Sequence, residues 1–200
     1  MDIDAIFFIG PQGSGKGTQA RLLSEKLGFF HWEMGAILRE EAKQDTEFGK
    51  HVASLINTGH LLGDEDLIGV IEDKLKSLPK DQGIIFDGIP RRLGQGRFLL
   101  DFLRSHGRTK FASIFLDIPF DISVGRLLER AHHEFRQDDT EEAIRTRLAL
   151  YEKETMPVIE FLRDETTEYD IDGTPSVPDV TKLINQALGL SDDQTPSTSS

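Results

Sequence analysis

One segment near the start of the chain constrains its fold more than any other: Gly10-Pro11-Gln12-Gly13-Ser14-Gly15-Lys16-Gly17-Thr18-Gln19. An apolar run over residues 3–9 precedes it, and a helical pattern of alanine and leucine follows it. This order of strand, glycine-rich loop, lysine and helix is typical of a phosphate-binding loop. The glycines let backbone N–H groups turn towards phosphate oxygens, the helix N-terminus adds its positive end, and Lys16 supplies a mobile cation. The segment therefore predicts that a nucleotide phosphate binds here.

The rest of the chain alternates between apolar stretches of strand length and helical patterns. Further strands are predicted at 83–87, 111–117 and 167–171, with a short strand or turn at 29–32. Helices are predicted at 16–27, 35–59, 64–77 (capped by Asp64), 95–105, 119–130, 140–163 (broken near Pro157) and 176–188. Such alternation predicts the α/β class, here a three-layer P-loop fold with a parallel five-stranded sheet. Ligands bind at the carboxyl ends of such strands, where the phosphate loop and the loops after Asp87 and Asp117 should meet.

The strand at 83–87 ends in the carboxylate of Asp87. In P-loop proteins an aspartate at this position serves the Mg²⁺ that accompanies the nucleotide, directly or through water. Gly17 stands where the usual loop has a hydroxyl, so we expect the metal to depend more on the nucleotide phosphates and on waters. The sequence predicts that Mg²⁺ accompanies the bound nucleotide, with no direct protein ligand to the metal and Asp87 acting through water.

The charge of the chain restricts its partners. The 35 acidic residues exceed the 23 basic ones, which gives a net charge of −12 and argues against general binding to nucleic acid or to an anionic membrane. An anionic ligand must therefore be held by local basic groups, and arginine binds phosphate bidentately. The candidates are Arg39, Arg91, Arg126, Arg130, Arg136 and Arg147. The sequence has no cysteine and no apolar run long enough to span a membrane, and it leaves no room for a signal peptide before the first strand. These features favour a cytoplasmic protein.

In these motifs the chain resembles the adenylate kinase family of nucleoside monophosphate kinases, in register from Ile6 to about Leu188. The phosphate loop matches the family's loop, including Gly17-Thr18-Gln19 after the lysine, and Asp87-Gly88-Ile89-Pro90-Arg91 resembles its Asp-Gly-aromatic-Pro-Arg motif. Gln95 falls where the family holds the base of AMP. The short stretch between Arg130 and Asp138 is similar to the short-lid form, which lacks a zinc ligand set.

The resemblance implies a role for each matching residue. The implied catalytic residues are Lys16, Arg91, Arg130, Arg136 and Arg147. The implied ATP-binding residues are Gly13, Ser14, Gly15, Lys16, Gly17, Thr18, Arg126, Arg130 and Pro175. The implied monophosphate-binding residues are Met34, Arg39, His60, Leu61, Leu62, Gly88, Arg91, Gln95, Arg136 and Arg147.

The implied reaction is reversible transfer of the γ-phosphoryl group of MgATP to a nucleoside monophosphate, with AMP favoured because Gln95 is present. The chain departs from the family at Glu33-Met34-Gly35-Ala36, where the family has Ser-Thr-Gly-Asp, and Met34 cannot give the hydrogen bond that threonine gives the base. CMP, UMP or a deoxynucleotide therefore remain alternative acceptors. A nucleotide-binding regulator or weak ATPase with a decayed monophosphate site is an alternative of another class. A kinase of a small alcohol is disfavoured, since it needs a base near the acceptor and has no use for Gln95.

The resemblance also implies a domain organisation. One kinase domain is expected over residues 1–190, with a small helical monophosphate-binding insert at about 33–62 and a short lid at about 129–139. Both inserts should be hinged, and the chain should be a monomer. Residues 191–200 are rich in serine, threonine and aspartate without an apolar anchor, and this composition predicts a disordered tail.

Overall fold

The computed structural model describes residues 2–134 and 140–191, with the side chains of Asp73, Lys74 and residues 130–134 left aside. The strands are β1 (Ala5–Ile9), β2 (Phe30–Glu33), β3 (Ile84–Asp87), β4 (Phe111–Asp117) and β5 (Thr167–Asp172). The helices that precede residue 120 are α1 (Lys16–Leu27), α2 (Met34–Glu41), α3 (Glu47–Thr58), α4 (Asp64–Lys76) and α5 (Leu93–Ser105). Those that follow are α6 (Phe120–Glu134), α7 (Glu141–Leu150), α8 (Met156–Glu165) and α9 (Val177–Ala187).

The five strands form one sheet in the order β2-β3-β1-β4-β5, and every pairing is parallel. The central strand β1 is buried on both faces. Phe7 belongs to the core on one side of the sheet, and Ile6 and Phe8 belong to the core on the other side. Helices therefore cover both faces, which confirms the predicted three-layer α/β fold.

Two predicted helices differ from those found. The helix expected over 35–59 is two helices, because Thr46 starts a new one: its side chain accepts a hydrogen bond from Gly49 N at 2.9 Å. The helix expected to end at residue 130 continues to Glu134 as α6. The expected break near Pro157 is found as a π-helical turn over Tyr151–Thr155, immediately before α8.

Two further features concern the predicted ends of elements. The first backbone bond of α4 runs from Leu67 N to Gly63 O, so Gly63 and not Asp64 holds the cap position. Two predicted segments fall partly outside the described residues: the tail from residue 192 onwards and the lid over residues 135–139. No helix among residues 2–134 and 140–191 has both the length and the apolar character needed to cross a bilayer.

Candidate active site

A cleft of about 870 Å³ lies along the carboxyl edge of the sheet, where β1, β2 and β3 end. It is lined at one end by the phosphate loop and at the other by α2, the end of α3 and the loop after β3. The predicted site residues that line it are Gly13, Ser14, Gly15, Lys16, Gly17, Thr18, Met34, Arg39, His60, Leu61, Leu62, Asp87, Gly88, Arg91, Gln95, Arg126, Arg147 and Pro175. Its size suits small-molecule ligands such as nucleotides.

The phosphate loop needs glycine for reasons visible in its packing. Gly13 has φ of 81°, and a Cβ atom there would lie 2.8 Å from Ser123 O. Lys16 Nζ donates to Gly10 O and Pro11 O, both at 2.7 Å, so its ammonium lies across the mouth of the loop. The loop is thus a compact ring of backbone closed by a cation, and the cation can turn to a phosphate without moving the backbone.

Two side chains tie the phosphate loop and the helix after it to neighbouring elements. Gln19 in α1 donates to Val177 O at 3.0 Å and accepts from Thr181 Oγ1 at 2.8 Å, which ties α1 to α9. Arg126 in α6 donates to Gly173 O at 2.8 Å and to Thr174 O at 3.0 Å. Arg126 therefore holds the turn before Pro175 against the phosphate loop.

Asp87 lies at the centre of the cleft, at the end of β3. Its Oδ2 lies 3.1 Å from the place where a Cβ of Gly17 would be, and 4.0 Å from His31 Nε2. Burial raises the pKa of the Asp87 carboxyl, although Lys16, His31 and Arg91 oppose the shift. A buried carboxylate facing the phosphate loop fits a metal held through water, because a nearby cation offsets the cost of its burial. Among the described residues, no group of three or more His, Cys, Asp or Glu side chains could hold a metal ion.

At the other end of the cleft, Arg39 in α2 forms an ion pair with Glu33 at the end of β2. Arg39 Nη2 lies 3.1 Å from Glu33 Oε1, and both side chains are partly exposed. The Arg39 guanidinium lies over Gly35, 3.2 Å from the place that a Cβ would take, so a larger residue at this position would crowd it. Met34 is buried at 3 % exposure and presents an apolar wall without a hydrogen-bonding group.

Arg91 and Arg147 bring two guanidinium groups into the middle of the cleft. Arg91 Nε donates to Gly88 O at 2.9 Å, and its carbonyl accepts from Thr155 Oγ1 in the π-helical turn at 3.0 Å. Arg147 Nη2 donates to Ile56 O at 3.1 Å. Burial lowers the pKa of Arg91, and the charge of Arg147 lowers it further, against the opposing effect of Asp87. Two neighbouring, partly buried cations favour an anionic ligand between them.

Gln95 in α5 lines the cleft, but its amide also holds the protein together. Its Oε1 accepts from Arg91 N at 2.9 Å and from Arg92 N at 3.3 Å. Its Nε2 donates to Asp64 Oδ1 at 3.0 Å. The sequence predicts only the contact of Gln95 with a base, because its partner Asp64 is distant in the chain.

Two predicted residues cannot be placed in the same way. Arg130 lies in α6, and its side chain is outside what the structure describes; Arg136 lies outside the described residues altogether. Their roles stay predictions.

The structure adds His31 and Glu33 to the cleft. Both lie on β2, on either side of Trp32, which is fully buried. Because side chains alternate along a strand, the buried tryptophan could have shown that its two neighbours share the opposite face. Among the described residues, the buried His31 Nε2 has no hydrogen-bond partner.

Comparison with known proteins agrees with this geometry. The family model described as adenylate kinase matches residues 8–167. The chain is 37% identical over 184 residues to adenylate kinase 1 of Nostoc sp., covering 92% of this chain and 98% of the relative. It is 35% identical over 183 residues to an adenylate kinase of Stenotrophomonas maltophilia, with the same coverage of 92% and 98%. It is 38% identical over 168 residues to an adenylate kinase of Phocaeicola vulgatus, covering 84% of this chain and 89% of the relative.

Proposed function

The chain belongs to the adenylate kinase family, and we therefore propose that it transfers the γ-phosphoryl group of MgATP reversibly to AMP, giving two molecules of ADP. One observation carries the proposal: a single cleft joins the phosphate loop with Lys16 to the cations Arg39, Arg91 and Arg147. One end suits the triphosphate of a donor and the other suits the phosphate of an acceptor. The relatives, all adenylate kinases, favour AMP over CMP, UMP or deoxynucleotides, and they give no support to a regulator or a weak ATPase.

The donor half of the proposed mechanism depends on the phosphate loop. The backbone N–H groups from Gly13 to Thr18 bind the β- and γ-phosphates, and Lys16 exchanges its backbone carbonyls for phosphate oxygens. Mg²⁺ enters as part of the substrate MgATP and neutralises charge on the phosphates. Asp87 orients the waters of that complex, since its carboxylate faces the start of α1 across Gly17.

The acceptor half needs positioning and charge. A phosphate oxygen of the monophosphate is already anionic, so no general base is required, and the reaction depends on alignment and electrostatic stabilisation. Arg39 and Arg91 hold the acceptor phosphate. Arg147, with Arg130 and Arg136 from the lid region, stabilises the charge on the transferring group. Closure of the inserts at about 33–62 and 129–139 excludes water, which otherwise competes for the phosphoryl group.

We also propose that the chain acts in the cytoplasm as a monomer and binds only its nucleotides. The family resemblance supports this, and size-exclusion chromatography with light scattering tests the oligomeric state.

A coupled assay with MgATP and a panel of monophosphates tests the reaction. AMP should give the highest kcat/KM, and the stoichiometry should be two ADP per AMP consumed. ADP formation without any acceptor would identify a hydrolase instead. Failure of every monophosphate, together with nucleotide binding, would identify a regulator.

A further inference from the structure

The amide of Gln95 can have only one orientation. The backbone N–H groups of Arg91 and Arg92 only donate, and they lie 2.9 and 3.3 Å from one end of the amide. The carboxylate of Asp64 only accepts, and it lies 3.0 Å from the other end. The oxygen must therefore face the backbone and the nitrogen must face Asp64.

This arrangement uses almost all the hydrogen-bonding capacity of Gln95. Both lone pairs of Oε1 are taken by backbone N–H groups, and one of the two Nε2 hydrogens goes to Asp64. Within the described residues, this leaves a single N–H for a ligand in the cleft. Gln95 is 3 % exposed, so that N–H is a fixed, largely dry group.

The position of the Asp64 carboxylate depends on its neighbours in α5. A Cβ atom on Gly94 would lie 2.7 Å from Asp64 Oδ2, so only glycine at that position lets the carboxylate approach the first turn of α5. The positive end of α5 also favours the carboxylate. Arg92 Nη1 lies 3.9 Å from Asp64 Oδ1 and 3.5 Å from Leu62 O, which connects the carboxylate to the cleft wall.

The cleft that Gln95 lines also has apolar wall residues. Met34, Leu62 and Leu67 line it, and each is buried. A buried N–H donor at such a site needs a hydrogen-bond acceptor on the ligand. A ligand that places its own N–H there leaves two donors without partners, which weakens its binding.

We infer that Asp64 is a positioning residue for acceptor choice: it fixes Gln95 as a donor-only group, which selects bases with a bare ring nitrogen at the position they present. Adenine (N1) and cytosine (N3) meet this condition. Guanine, hypoxanthine and uracil present an N–H there and are rejected. This inference rests on the proposed function, because it assumes that the base of the acceptor reaches Gln95.

The test compares two acceptors of nearly the same size, purine riboside 5′-monophosphate, which has a bare N1, and inosine 5′-monophosphate, which has N1–H. For the unaltered protein, kcat/KM for the first should exceed that for the second by at least ~10-fold. In Asp64→Ala the Gln95 amide is held by its oxygen alone, so it can turn about that anchor and move its nitrogen away from N1–H of inosine monophosphate. The ratio of the two kcat/KM values should therefore fall at least ~3-fold. Asp64→Asn keeps an oxygen acceptor and should restore the ratio. KM for ATP should not change in either variant.

Two further variants complete the experiment. Gly94→Ala displaces the carboxylate without removing it and should lower the ratio as Asp64→Ala does, which keeps the test informative if Asp64→Ala does not fold. Asp66→Ala removes a carboxylate from the same turn of α4, where it pairs with His51 at 3.8 Å, and should leave the ratio unchanged.

A purely structural role for Asp64 predicts equal losses for both acceptors, and an unchanged ratio in folded Asp64→Ala or Gly94→Ala would overturn the inference. If the unaltered protein transfers phosphate to no monophosphate, the proposed function fails. In that case calorimetry measures the dissociation constants of the same two nucleotides. The ratio of these constants, compared between the unaltered protein and Asp64→Ala, then tests the role of Asp64.

Discussion

Glu33 Oε1 lies 3.1 Å from Arg39 Nη2. The arginine proposed to bind the acceptor phosphate is therefore already ion-paired with a carboxylate of the protein. The two residues frame the start of α2, and Glu33 is paired in register with Asp87 on the neighbouring strand. The acceptor phosphate must therefore share the Arg39 guanidinium with a resident carboxylate or displace it. This ion pair is the structural outcome of the Glu33-Met34-Gly35-Ala36 segment, which the sequence shows only as a departure from the family.

Replacing Glu33 by glutamine should strengthen acceptor binding. Because the pair is partly exposed, the effect should be modest: KM for AMP should fall roughly two- to five-fold, with kcat and KM for ATP nearly unchanged. Steady-state kinetics and calorimetric titration with AMP measure it. Glu40→Gln is the matched control: Glu40 lies on the same helix as Arg39, and the change breaks only its exposed pair with Lys43, just beyond the helix end, so it should have no effect. A raised KM for AMP in Glu33→Gln would show that the carboxylate helps binding instead.

Asp87→Asn should separate stability from activity. Burial raises the pKa of Asp87 above its ordinary value of 3.8, so between 3.8 and the raised value the folded state binds more protons than the unfolded state. Stability contributed by this group therefore falls as pH rises through that window and stays lower above it. The asparagine variant, free of nucleotide, should melt at a higher temperature than the unaltered protein at pH 7, with the difference shrinking as pH approaches 4.

The same Asp87→Asn variant should lose at least ~10-fold in kcat, as is usual when a group that orients metal-bound water is removed. Melting curves at several pH values and the coupled assay measure both effects. Asp101→Asn, at an exposed position, serves as the control and should change neither. A variant that is both less stable and fully active would contradict the assignment of Asp87.

Arg136→Ala tests a role that rests on the family resemblance alone. Loss of a transition-state donor should lower kcat by at least ~10²-fold while leaving KM for ATP within a few-fold. Arg145→Ala provides a comparison, because Arg145 is exposed and pairs with Glu141 at 2.9 Å away from the cleft. Turnover that does not change in Arg136→Ala would remove Arg136 from the mechanism.

Gly13→Ala should disable the donor half of the site. The residue has φ of 81°, and a Cβ there would lie 2.8 Å from Ser123 O, so the loop must distort at a cost of roughly 1–3 kcal/mol. KM for ATP should rise at least ~10-fold, which the coupled assay measures, and the melting temperature should fall. Gly69→Ala in α4 meets nothing within 4 Å and should leave KM unchanged. Normal ATP binding by Gly13→Ala would show that the loop tolerates the side chain.

The sequence predicts the donor half of the site well because its signals are local. Apolar strands at 3–9 and 83–87 predict the centre of the sheet, and the phosphate loop follows the first of them, so Lys16 and Asp87 are expected to meet at its carboxyl edge. The spacing of arginines in the family motifs likewise placed Arg39, Arg91 and Arg147 in the cleft. The sequence does not predict the break at Thr46, although threonine is a common helix cap, because the apolar pattern continues across it.

What the sequence did not predict depends on contacts between distant segments. The bond between Gln95 and Asp64 joins α5 to α4, and the tie of Gln19 to Val177 and Thr181 joins opposite ends of the chain. The pair Glu33–Arg39 is closer in the chain but depends on the turn between β2 and α2. No periodicity or composition carries such information, because each contact is set by how the elements pack.

The position of β1 in the sheet has a consequence for how the protein is made. Of the five strands the ribosome releases this one before the others, yet it pairs on one side with β3 and on the other with β4, which are synthesised much later. Until then an entirely apolar strand has two open edges, a form that invites association with other chains. Gln19, in the helix that follows the phosphate loop, likewise gains its partner Val177 only when α9 has been made. Nascent chains stalled before residue 111 should therefore need a chaperone and bind no nucleotide.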